Sequence, residues 1–212
     1  MIYFDVHTHK YSYQKNVIVI LFSLSRGDEH FCSIGIHPWD VNITSAEQIP
    51  LIDTMAYKSK VLAIGEIGLD KVCLADFQLQ KEYFSKQLEI AQKHNKPIII
   101  HCVKAYEEIL FLLKDFKFPV IMHGFNRGYE MAKQLIGKDF YLSFGKVLFD
   151  EKSKTIDAFE KAPLDRIFLE TDESELDIKN IYERAAEIKK VELNVIIEKI
   201  ECNFRKVFNG YK

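Results

Sequence analysis

Six residues spread along the chain offer the donors of a divalent-metal site: His7, His9, Glu66, His101, His123 and Asp172. All present imidazole nitrogen or carboxylate oxygen and none is a thiolate, the donor chemistry of zinc, manganese or magnesium centres. His7 and His9 follow a short apolar run, residues 2–6. Side chains alternate on an extended chain, so the two imidazoles point the same way and can grip one ion. Glu66 has two oxygens with which to bridge two ions. Asp172 can touch a metal and accept the proton of an attacking water. The chemistry predicted is hydrolysis at a two-ion site, with Asp172 and Glu66 as its catalytic carboxylates. Taken singly, each residue has an ordinary structural reading, such as a core histidine, a helix cap or a lysine's partner. Their recurrence at strand ends carries the argument.

The elements that must position them are legible as short apolar runs at 2–6, 17–22, 31–36, 61–64, 97–100, 119–122, 140–144 and 166–169. The run at 17–22 is β-branched and apolar on both faces, the pattern of a parallel strand covered on both sides. Helical spacing is read at 44–58 after a capping box opened by Thr44 and Glu47, and at 76–94, 104–116, 128–136, 152–161, 178–190 and 193–208. Strands alternating with helices predict a single α/β domain over 1–212, a closed (β/α)8 TIM barrel. The candidate ligands fall at or near the C-terminal ends of strands one, four, five, six and eight, which in a barrel converge on one mouth. The connections flanking strand two are too short for full helices, so the outer helices around strands one to three are read as shortened or missing. The apolar surface this leaves near strands two and three predicts a homo-oligomer that covers it.

With 48% hydrophobic and 28% charged residues, the chain can bury a core and is not of disordered type. A net charge of -2 without long runs of one sign excludes a stoichiometric nucleic-acid binder. It leaves room for an enzyme that holds a phosphodiester through metal ions. Cys32, Cys73, Cys102 and Cys202 are scattered with no Cys-x-x-Cys pair, so reduced thiols are expected. The N-terminus reads as the first strand rather than a leader, and no apolar run is long enough to span a bilayer. A cytoplasmic protein without membrane contact is the expectation.

The motifs HTH at His7–His9, GIHPW, GEIGLD, PIIIHC, HGF, LSFG and PLDRIFLETD occur in this order. With the helix at 78–94 and the closing segment NFRKVF, the chain resembles the TatD-related hydrolases of the metal-dependent amidohydrolase superfamily, over nearly its whole length. The resemblance implies a TIM barrel and metal-dependent phosphodiester hydrolysis, with DNA ahead of RNA as a transiently held substrate. It implies that His7, His9, Glu66 and Asp172 bind a first ion and that His101 and His123, sharing Glu66, bind a second. Two departures stand out. Val103 occupies the place of a family arginine, with Lys104 after it, and Glu173-Ser174-Glu175 replaces a family Pro-Tyr. The first removes a phosphate contact and the second adds negative charge at the mouth.

Further contacts are expected of His37, Lys104 and Asn126 with substrate, and of Glu170 as an acceptor that orients a ligand histidine. Trp39 is read either as a stacking surface for a base or as a cover for the mouth. Two other functions fit the same residues. One is hydrolysis of an amide, ester or lactone in a small substrate. The other is a metal-binding or partner-binding barrel of low activity.

Overall fold

The computed structural model describes residues 1–10, 17–22 and 30–208. The connections on either side of strand two, residues 11–16 and 23–29, lie outside the described residues, as does the expectation that they are too short for helices. The described residues gather into two compact units, one drawn from residues 1–21 and 121–208 and the other from residues 22–120.

The first unit holds β1 (Tyr3–Thr8), β2 (Val17–Phe22), β6 (Val120–Met122), β7 (Tyr141–Phe144) and β8 (Ile167–Leu169). β1 pairs with β2, and β6, β7 and β8 pair in sequence, all parallel. The chain beyond β8 runs beside β1 through a Thr8–Asp172 bridge. Its helices are α4 (Tyr129–Ile136), α5 (Thr155–Lys161), α6 (Ile178–Lys189) and α7 (Leu193–Val207). Helical spacing gives α7 an apolar face of Leu193, Ile196, Ile197, Ile200, Phe204 and Val207, and all of it but the half-buried Leu193 is buried. Each such side chain removed from water contributes about 1.5–3 kcal/mol. Phe204 lies 4.4 Å from the Phe4 ring. The Tyr182 hydroxyl of α6 accepts from Phe4 N at 3.1 Å and donates to Phe4 O at 3.0 Å. Asn203 of α7 donates to the carbonyls of Leu164 and Ile167. The closing helices therefore grip the starts of β1 and β8, the strands whose far ends carry His7 and Asp172.

The second unit holds β3 (Cys32–Ile34), β4 (Val61–Asp70) and β5 (Ile98–Val103), parallel in that order. With them go α1 (Gln48–Met55), α2 (Phe77–Lys93) and α3 (Tyr106–Leu112). β4 does not stop at Ile64 as the sequence suggested. It runs ten residues, all buried, so Glu66 sits inside the strand. Two glycines permit this. A Cβ on Gly65 would stand 2.7 Å from Ile99, and one on Gly68 would stand 2.0 Å from the His101 carbonyl oxygen. Both distances are shorter than any side chain tolerates, so glycine there lets β5 approach.

The capping box is also displaced. Asn42 and Ser45 form it, opening a 3₁₀ turn, and α1 follows from Gln48. α3 starts at Tyr106 rather than Lys104, because Lys104 sits at φ 54, outside the helical region. Helices follow β3 to β8, six of the eight strands, so an unbroken eightfold βα repeat is not present among the described residues.

α2 carries two buried glutamines that apolar periodicity does not report. Gln80 pairs with both backbone groups of Asp70, at 2.8 and 3.0 Å. Gln87 does the same for Ile36, at 2.6 and 3.3 Å. A side-chain amide satisfies backbone where no strand partner reaches it. Together the two amides fix the segments that lead into His37 and end at Asp70.

At the other end of α2, Lys93 and His94 both bond Asp53 of α1, at 2.7 Å each. Lys93, and after it His94, hold the Asp53 carboxyl below its ordinary value. An acid whose folded pKa is depressed lends stability above its unfolded value, about 4, and loses it as pH falls through the lower folded value. Acid denaturation of Asp53→Asn is therefore expected to show less pH dependence below about pH 4 than the parent. Identical acid limbs would show that the cluster carries no linkage.

Candidate metal centre

Each unit assembles its own donor group. In the first, one donor atom each from His7, His123 and Asp172 lie within 4.8 Å of one another. β1 delivers His7, with His9 just beyond its end. Their rings stand edge to face, 5.0 Å apart. Nε2 of His7 and Nε2 of His9 lie 3.9 and 3.6 Å from Oδ1 of Asp172. His123, one residue past β6, brings its ring to 4.4 Å from that of His7.

Asp172 has φ 55, a left-handed conformation that aspartate tolerates better than most residues. Its backbone is pinned by its N–H to His7 O at 3.0 Å and by its carbonyl, which accepts from His9 N at 3.3 Å. Beneath it, buried Asp5 accepts from Thr171 N at 3.0 Å and from the Thr171 hydroxyl at 2.6 Å. Burial pushes the Asp5 carboxyl up to about 7, against the lowering effect of these two bonds. The Thr171 hydroxyl also lies 3.1 Å from that of Thr8.

Glu170 is buried with Oε1 3.3 Å from Nδ1 of His123, and it accepts from Gly124 N at 2.6 Å. Burial opposes its charge, but the neighbouring His123, together with His7 and Ser143, more than offsets this and holds the carboxyl below its usual range. A carboxylate on one ring nitrogen sets the tautomer and leaves the other nitrogen as a donor.

The second unit brings His37, Glu66 and His101 together. Glu66 Oε1 lies 2.8 Å from Nδ1 of His101 and 3.1 Å from Nε2 of His37, and those two nitrogens are 3.2 Å apart. Glu66 is 1% exposed, and a carboxylate so far from water needs positive charge close by. Nε2 of His101 faces Asp70 Oδ2 at 3.2 Å, so this histidine too is backed by a carboxylate. Burial raises the Asp70 carboxyl, while hydrogen bonds from Trp39, Val72 and His101 outweigh it and keep the group below its ordinary value.

Both groups fit a divalent cation by donor chemistry. They offer neutral-capable imidazoles and carboxylates, clustered within ligand reach and oriented from behind by further acids. His7, His9, His123 and Asp172 thus meet in one unit, and Glu66 and His101 in the other.

His37, read from sequence as a substrate contact, stands among the donors. Glu170 lies behind His123. Asn126 lines a cavity of about 400 Å³ with Gly124, Gly145, Lys146 and Asp172. Lys104 is exposed, three positions after His101. Lys10 pairs with the Glu175 carboxylate, which offsets the charge brought by Glu175, and donates to the Glu173 carbonyl at 3.2 Å.

Sequence reasoning missed Asp5, Asp70 and Lys146. Asp70 shares the face of Glu66 four positions on, and this would have been visible had β4 been read as continuing. Asp5 shares the face of His7 in the same way. Nothing in the local sequence singles out Lys146.

Residues 5–209 match the family model described as TatD related DNase. The chain is 32% identical over 196 residues to an uncharacterized metal-dependent hydrolase, YabD, of Bacillus subtilis, covering 84% of this chain and 77% of that one. It is 28% identical over 195 residues to the similarly named YcfH of Escherichia coli K12, covering 84% and 73%. The structure of YjjV, a TatD homolog from Escherichia coli K12, superposes with a TM-score of 0.85 at 20% identity over 98% of both chains. A TatD family hydrolase from Entamoeba histolytica does so at 0.80 and 16% identity, over 97% of each. The structural likenesses show the fold, an α/β barrel-like one. By the extent of the family match and by its likeness to YabD, this chain belongs to the TatD-related family of metal-dependent hydrolases.

Proposed function

We propose that this metal-dependent hydrolase cleaves phosphodiester bonds, with DNA ahead of RNA as substrate. The observation that carries the reading is the pair of thiolate-free donor groups, His7–His123–Asp172 and His37–Glu66–His101. The family match adds its description as a DNase. The closed (β/α)8 barrel belongs to the same proposal, supported by the likeness to YjjV along nearly the whole chain.

His7, His9, His123 and Asp172 are proposed to hold a divalent ion in the first unit, and Glu66 and His101 to hold one in the second. Bound ions would polarise a phosphoryl oxygen and acidify a water. The side chains do the rest. Asp172 takes the proton of the attacking water at its carboxylate. Glu170 keeps His123 in one tautomer, and Asp70 does so for His101. Asn126 and Lys146, at the cavity beside Asp172, offer an amide and an ammonium to phosphate oxygens.

The test is digestion of end-labelled single-stranded DNA by metal-stripped protein refilled with zinc, manganese or magnesium, one at a time. Cleavage restored by at least one ion is expected. Intact DNA with every ion, alongside turnover of small esters or lactones, would replace the phosphodiester by a carbonyl substrate.

A further inference from the structure

We propose that Trp39 is the stacking platform for the nucleobase attached to the phosphodiester being cleaved. This rests on the phosphodiester reading above and adds what part of the substrate is recognised, and where.

Trp39 is the chain's single tryptophan. The residue is 59% exposed, an unusual place for the largest apolar side chain. Yet the ring is not loose. Its Nε1 donates to Asp70 Oδ2 at 2.7 Å, and its backbone N–H donates to His37 Nδ1 at 3.2 Å. The indole packs nearly perpendicular to the His37 ring at 4.8 Å and to the His101 ring at 5.8 Å. The polar end of the ring is thus satisfied beside the donor group, while more than half of the residue stays in water.

Held at its Nε1 and still more than half exposed, the indole is preorganised for a flat partner. The neighbouring loop strengthens this. Val72 and Leu74 are 60% and 105% exposed. Asp70 Oδ1 accepts from Val72 N at 2.7 Å, so the carboxylate that fixes the indole also fixes this apolar rim.

A group held at Glu66 and His101 stands beside the indole, so the base of the same nucleotide falls on it. Every base has a π-face, which makes such a contact tolerant of sequence.

The experiment uses the metal-loaded protein and two phosphates that a phosphodiesterase does not cleave, deoxyadenosine 5′-monophosphate and deoxyribose 5-phosphate. Saturable quenching of tryptophan emission by the nucleotide, and none by the sugar phosphate, is expected. By calorimetry, Trp39→Leu is expected to weaken nucleotide affinity about five- to a hundredfold, the range of one base–aromatic stack, and to leave sugar-phosphate affinity unchanged. Trp39→Tyr is expected to retain most of the nucleotide affinity, which separates stacking from a folding defect. No saturable nucleotide binding, binding without quenching, or equal nucleotide affinity in Trp39→Leu overturns the proposal. The two readings fail separately: quenching with no DNA cleavage would keep the platform and remove the nuclease, whereas cleavage with a KM indifferent to Trp39 would do the reverse.

Discussion

Asp172→Asn is expected to lose about a hundred- to ten-thousandfold in turnover, the usual contribution of a positioned general base, while metal content largely survives. The backbone of Asp172 is held independently of its carboxylate, by its N–H to His7 O at 3.0 Å and by its carbonyl, which accepts from His9 N and from the Thr8 hydroxyl, each at 3.3 Å. Asparagine tolerates the same left-handed φ, so the substitution keeps the fold. The amide oxygen still lies beside His7 and His9 and can still ligate, but it cannot take a proton. Turnover measured against metal content per chain separates the two roles. Full activity would remove Asp172 from proton transfer, and loss of metal in parallel with activity would reduce it to a ligand.

The second large effect is structural. Gly68→Ala is expected to destabilise the protein by roughly 3–5 kcal/mol, the sum of a backbone conformation that L-residues avoid and severe overpacking. Gly68 has φ +148, and an added Cβ would stand 2.0 Å from the His101 carbonyl oxygen. The neighbour is backbone, paired with β4 in the same register that aligns Gly68 with His101, so it cannot swing away. Relief requires β5 to move, and β5 carries a metal-ligand candidate. Urea denaturation should show the midpoint falling, and the alanine variant should also bind metal less tightly. An unchanged midpoint would mean that the two strands are not so close in solution.

Much of this site was legible before any coordinates. The donor types, their order and their attachment to the ends of short apolar segments follow from composition and period alone, because a strand's alternation and a helix's 3.6-residue repeat are local properties. The closing helix is the clearest case: spacing picks out Leu193, Ile196, Ile197, Ile200, Phe204 and Val207, and all but the half-buried Leu193 are buried. Local signals misplaced the end of β4, since glycines that normally mark a break here admit a neighbouring strand. They also passed over Gln80 and Gln87, polar residues whose partners are backbone groups far along the chain.

By itself the sequence determined which chemistry the chain can carry: nitrogen and oxygen donors in family order, on strands alternating with helices. Tertiary structure alone decided which donors meet. His37 joins Glu66 and His101, His123 joins His7 and Asp172, and Asp70 and Glu170 stand behind the histidines. The physical reason is that a ligand group is defined by a few ångströms between atoms, and those distances are set by strand register and hydrogen bonds between segments up to 178 residues apart in the chain, which no local period encodes.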